Sequence, residues 1–143
     1  MGKLTDVYKS TNQSDGNECS STYEGRHLSI KGDELRSAGT VAGTGIAKGE
    51  AVAFGDIGVG ISFKSIAQAD LANERAAIDT EGVWWKTVTL TNTRVAGDAV
   101  YFNDADGTLQ DTGGGGTRFF GYLVTGGDAG DVLCAVKVHF CVV

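Results

Sequence analysis

The sequence has no proline, one methionine, two histidines and three cysteines among its 143 residues. The missing proline excludes collagen and proline-rich linkers, which depend on its fixed backbone angle. An odd number of cysteines, with no secretion signal, argues against a disulfide framework. Cys134 and Cys141, if on one strand, lie seven residues apart, roughly 23 Å in extended chain, whereas a disulfide needs Cα atoms within about 7 Å. With Cys19 they read as packing residues. The two histidines, His27 and His139, fall in neither a two-histidine nor a Cys-x-x-Cys spacing, so a structural zinc site has little support. Long apolar runs are absent too, and a bilayer-spanning helix needs about 18–20 such residues. Met1-Gly2-Lys3-Leu4-Thr5-Asp6 lacks the apolar stretch of a signal peptide and the Ser/Thr at position 6 that myristoylation requires. The expectation is a protein that stays in the compartment where it is made.

What is abundant is glycine, 22 residues, about twice its average share. With 41% hydrophobic and 21% charged residues, the chain is rich enough in apolar groups to fold and is turn-rich. The net charge is −6. Residues 1–45 carry five basic and six acidic groups, and residues 46–143 carry seven and twelve. An acidic surface repels phosphate backbones and anionic lipid, so neither nucleic acid nor membrane is expected as a partner.

Residues 1–44 read as an extended polar arm; Ser10 to Ser21 holds almost nothing apolar. From Gly45 the pattern becomes β. Residues 51–54, 59–63, 75–79, 83–90, 99–102, 119–124 and 132–143 are short, β-branched or aromatic, and separated by Gly/Asp/Asn turns. In the last run Val132, Cys134, Val136, Val138, Phe140 and Val142 share one face, opposite Lys137 and His139. Ser65-Ile66-Ala67-Gln68 matches a capping box and predicts one short helix through about Asn73. Lys48–Phe54 echoes Ala96–Phe102, each a glycine, an acid and then Val and Phe two apart. The echo reads either as an old duplication or as a common way to begin a strand.

Few residues suggest chemistry. Asn103–Thr108 resembles a calcium loop, but Phe102 and Gly113 stand where the first and last ligands belong. A hairpin turn is the better reading. Gly113–Gly116 is followed by no Gly-Lys-Ser/Thr, so it is a mobile connection and no phosphate loop. There is no Gly-x-Ser-x-Gly nucleophile elbow. Nothing recommends an enzyme, a cofactor or a metal. Trp84-Trp85 and Phe119-Phe120 are more telling. Neighbours on a strand point to opposite faces, so one of each pair is core and the other faces a surface, an interface or a second layer.

From Gly45 onward the order of motifs resembles the tailed-phage capsid decoration, or head cement, proteins. The matching segments are Gly49–Phe54, Gly58-Val59-Gly60-Ile61, Thr80-Glu81-Gly82-Val83-Trp84, Gly97–Gly107, Phe120-Gly121-Tyr122-Leu123 and Gly130–Val138. Each is weak alone; six in order over residues 45–140 are more specific. The resemblance implies a compact all-β domain of short strands, barrel- or sandwich-like, over residues 45–143, with residues 1–44 as an added arm. It implies a non-catalytic homotrimer on the outer surface of the virion, met in the host cytoplasm during assembly, whose partner is the major capsid protein. Leu4, Val7 and Tyr8 are then the expected arm contacts. Trp84, Trp85, Phe119 and Phe120 are the expected intersubunit or capsid anchors. Two other readings stay open: a head-fibre base or tail-tube component, and a carbohydrate- or ion-binding domain using Asp104, Asp106 and Asp111. A hydrolase built on either histidine is the weakest.

Overall fold

The computed structural model describes residues 27–140. It holds two sheets. The first runs β1 (His27–Lys31), β5 (Arg75–Asp79), β4 (Gly58–Ser62), β3 (Ala51–Phe54), β2 (Arg36–Ser37) in spatial order. The second closes into a barrel in the order β10 (Gly130–Val138), β6 (Val83–Leu90), β8 (Leu109–Gln110), β7 (Ala99–Asn103), β9 (Thr117–Leu123). Every pairing is antiparallel except the short β6–β8 contact, which is parallel and closes the barrel. The all-β reading and its seven expected strands are present.

Two cores follow from the alternation of side chains along the strands. In one, Val88, Val100, Phe102, Phe120, Val136 and Val138 fill the barrel and meet Ala51, Ala53, Val59 and Ile61 from one face of the first sheet. The other face of that sheet sends Val52, Ala76 and Ile78 against Leu35, Ile46, Ile66 and Leu71 from the connecting segments. The first sheet is thus a middle layer, apolar on both sides, and all five residues of β4 are buried.

Two expectations need correcting. The expected arm boundary at residue 44 falls inside the folded body. Leu28 and Ile30 alternate along β1, which pairs with β5 over five residues, and Leu35 is core. Leu4, Val7 and Tyr8 lie outside the described residues, as do Cys19 and Cys141. The helix expected from Ser65 is only a 3-10 turn at Gln68–Asp70, because Ser65 Oγ accepts from the Lys48 N–H instead and Ile66 is held in a bridge to Ile46. The one α-helix among the described residues, α1 (Ala38–Ala42), starts at a capping box of Ser37 and Thr40 and stops at Gly43, whose φ of 80° ends it.

The echo between residues 48–54 and 96–102 extends through the whole fold. β1, β3, β4 and β5 have the same pairing order as β6, β7, β9 and β10. Val52 faces Gly60 as Val100 faces Gly121, and Leu28 faces Ile78 as Trp84 faces Val136. The turns agree bond for bond. Glu50 N–H donates to Ala47 O and Asp98 N–H to Val95 O, with Gly49 and Gly97 at φ of 85° and 95°. The Glu50 and Asp98 carboxylates accept from the same Ala47 and Val95 N–H groups at 2.7 and 2.9 Å. Gly49 N–H donates to Ser62 O and Gly97 N–H to Leu123 O.

Candidate interaction surface

The paired aromatics divide as strand geometry requires. Trp84 points inward against the barrel core, and its indole N–H donates to the buried Asp79 carboxylate at 3.0 Å. Trp85 points outward and is 65% exposed. Phe120 is fully buried; Phe119 is half-buried on the outside. Phe120 therefore belongs to the interior and is not a surface anchor in this fold. Trp84 is turned toward the core but only partly buried, and Trp85 and Phe119 face outward.

Around these two lies apolar surface that the sequence reading missed. On the outer face of the barrel Trp85 sits beside Ala135, Leu133 is two residues along the same strand, and Val83 pairs with Lys137, which in turn pairs with Tyr122. Val83, Leu133, Tyr122 and Val124 are 57%, 63%, 41% and 46% exposed. Scattered exposed aliphatics are ordinary, but a contiguous set marks a contact site. The only sequence signal was phase: Leu133 and Ala135 occupy the positions of β10 that alternate with its core residues.

The strip runs into a groove of about 600 Å³ lined by Asp56, Ile57, Thr117, Arg118, Phe119, Tyr122 and His139. Phe119 makes edge contacts with Tyr101, Tyr122 and His139 at centroid distances of 6.2, 5.1 and 6.3 Å. Edge-to-face packing of this kind holds the rings in place. Ile57, 51% exposed at the β3–β4 turn, forms the opposite wall. That turn is fixed by Arg118, whose guanidinium donates to both oxygens of Asp104 at 2.8 and 3.1 Å and to the carbonyls of Phe54, Gly55 and Gly58 at 3.3, 2.9 and 3.2 Å.

The acids singled out as possible ligands are used inside the fold, each by a different partner. Asp104 holds Arg118. Asp106 accepts from Thr108 Oγ1 and N–H, and these bonds hold its carboxyl below the usual value. Asp111 accepts from Arg94 and Thr91. Among the described residues no three His, Cys, Asp or Glu side chains converge. Asn103–Thr108 is the expected hairpin turn, with Phe102 paired to Leu109. The Gly113–Gly116 run forms a turn closed by Thr117, whose hydroxyl bonds both the N–H and the carbonyl of Gly114. Cys134 is a free, fully buried thiol pushed up by desolvation, which suits a packing role.

No curated protein matches the chain. The family profile of phage cement proteins matches residues 32–138, from the turn after β1 to the last residue of β10, three-quarters of the sequence. A non-polar strip and an aromatic groove on a closed barrel suit a protein that works by adhering to another. The chain belongs to the phage cement protein family.

Proposed function

We propose that this protein binds the outer surface of a phage head as a homotrimer and clamps adjacent major capsid subunits, so that the shell resists the pressure of packaged DNA. The work is binding, without catalysis or cofactor. The observation that carries the reading is the family match over both sheets, which supports a capsid partner and a place on the virion. The groove around Phe119 and Ile57 is the surface we assign to the capsid. It is concave and largely apolar, of a size that accepts a few side chains of a partner loop. Residues Leu4, Val7 and Tyr8 add contacts by draping or strand pairing. Several weak sites on one symmetric particle gain avidity without strong individual contacts.

Particles assembled without the protein should release DNA or rupture at a lower temperature than decorated ones, and adding the purified protein should restore the difference. Equal robustness of bare and decorated particles would sink the clamp.

A further inference from the structure

We propose that the groove between Ile57 and Phe119 is a cation site, built to receive a lysine or arginine side chain of the partner that docks there. The inference deepens the reading above and rests on it only for that partner being the capsid.

The aromatic wall depends on a distortion of its strand. Phe119 and Tyr122 are three residues apart in β9, which puts them on opposite faces of a regular strand. Their rings nevertheless meet at 5.1 Å on the outside of the barrel. The cause is a β-bulge. Val100 pairs with Gly121 and Tyr101 with Phe119, so Phe120 has no counterpart of its own in β7. The His139 N–H closes on the Phe120 carbonyl at 3.0 Å and brings the imidazole to 5.9 Å from the Tyr122 ring. The first sheet supplies an internal control. There Val52 pairs with Gly60 and Ala53 with Val59 in unbroken register. The repeated scaffold does without the bulge, so the bulge belongs to the aromatic wall.

The charges of the groove select what enters it. Arg118 is a lining residue, but Asp104 and three carbonyls take its guanidinium, so its charge is already matched. Lys137, paired with Tyr122, turns its amine to the Glu81 carbonyl at 2.6 Å, and neither residue lines the groove. What remains is Asp56, exposed beside Ile57 and bonded to none of the described residues. A partner that covers the groove takes water from this carboxylate, and a covered charge without a counterpart is costly. An apolar side chain leaves Asp56 unmatched. An acidic one adds repulsion, in a chain already at −6. A cation satisfies both walls at once: its charge pairs with Asp56, and the electron-rich faces of Phe119 and Tyr122 attract it. The apolar stem of lysine or arginine suits Ile57.

The test uses the full-length protein and three probes: Nα-acetyl-arginine amide, Nα-acetyl-lysine amide and, as the neutral control, Nα-acetyl-leucine amide. Titration into the millimolar range, followed by nuclear magnetic resonance, should move the ring signals of Phe119 and Tyr122 and the methyl signals of Ile57 saturably. Both cations should bind at least about fivefold tighter than leucine amide. Asp56→Asn should weaken them about threefold with an unchanged circular dichroism spectrum, since this carboxylate holds nothing in the described fold. No saturable shift with either cation, equal binding of leucine amide, or an Asp56→Asn protein that binds as before would each overturn the proposal. Capsid particles separate it from the docking reading. Ile57→Arg and Asp56→Lys each put a cation where one should enter, and both should lower capsid occupancy. If the probes bind as expected while neither variant changes occupancy, the capsid docks elsewhere and the cation site stands. If Ile57→Arg abolishes occupancy while leucine amide binds as well as the cations, the docking stands and the cation site falls.

Discussion

The side chain of Asp111 is fully enclosed and accepts hydrogen bonds from the Thr91 N–H at 2.9 Å, the Thr91 hydroxyl and Arg94 Nε at 2.7 Å. Burial pushes its carboxyl up; the Arg94 and Thr91 bonds outweigh this and hold it below its ordinary value of 3.8. These bonds anchor the strand end after Leu90 to the segment after β8, where the barrel closes. Asp111→Ala leaves the Thr91 N–H and Arg94 without their acceptor, which should cost about 2 kcal/mol and lower Tm by roughly 6–10 °C. The pH dependence has a definite sign. Because the folded-state value is depressed, the stabilisation is complete above about 4 and is lost as pH falls through the folded value. Thermal melts at neutral pH and near pH 2 should therefore show the gap between wild type and Asp111→Ala closing in acid. A gap that persists undiminished would mean the ionised carboxylate is not the stabilising species.

At the level of elements, Gly97 and Gly121 need glycine for different reasons. Gly97 sits at φ 95° with open space where a Cβ would be, so alanine there costs only backbone strain, about 1–2 kcal/mol. A Cβ on Gly121 would lie 1.9 Å from the Lys137 carbonyl oxygen. Relief requires β9 and β10 to move apart, so Gly121→Ala should cost at least about 3 kcal/mol in urea titrations, clearly more than Gly97→Ala. An equal cost for both would show that the strands yield easily. Both glycines stood in motifs visible in the sequence, and the longer strands were legible because alternating apolar residues between Gly/Asp turns leave a period of two. The rest was not legible, for physical reasons. β2 and β8 are two residues each, too short to show any period. β1 lies in a polar stretch and gains its order from β5, a partner nearly 50 residues away. α1 sets Gly39, Thr40 and Val41, poor helix formers, between two alanines, too short a run to show a period, and is held because Ser37 and Thr40 cap it and Glu50 accepts the Gly39 N–H. At the site, adjacent aromatics could be divided into one inside and one outside. Which was which depends on pairing with β10, so Phe120 could not be set aside beforehand.

At the scale of the whole molecule, the two sheets are joined by apolar contact and by Arg118. This side chain is only 13% exposed, and it reaches from β9 to the carbonyls of the β3–β4 turn while gripping Asp104 with two nitrogens. A planar guanidinium can serve both directions at once; an ammonium offers three donors from a single point. The groove assigned to the capsid has one wall on each side of this link, Ile57 on the turn and Phe119 on the barrel. Its shape therefore depends on the sheets keeping their relative position. Arg118→Lys retains the charge and loses the span, leaving carbonyls without donors, and should cost about 2 kcal/mol. Hydrogen exchange should quicken at the amides of residues 54–58 and stay slow along β6, whose ladder to β10 is untouched. Capsid occupancy should fall with it. Uniform quickening through both sheets would instead show that the arginine supports the entire fold, and that the groove is no more dependent on it than any other part.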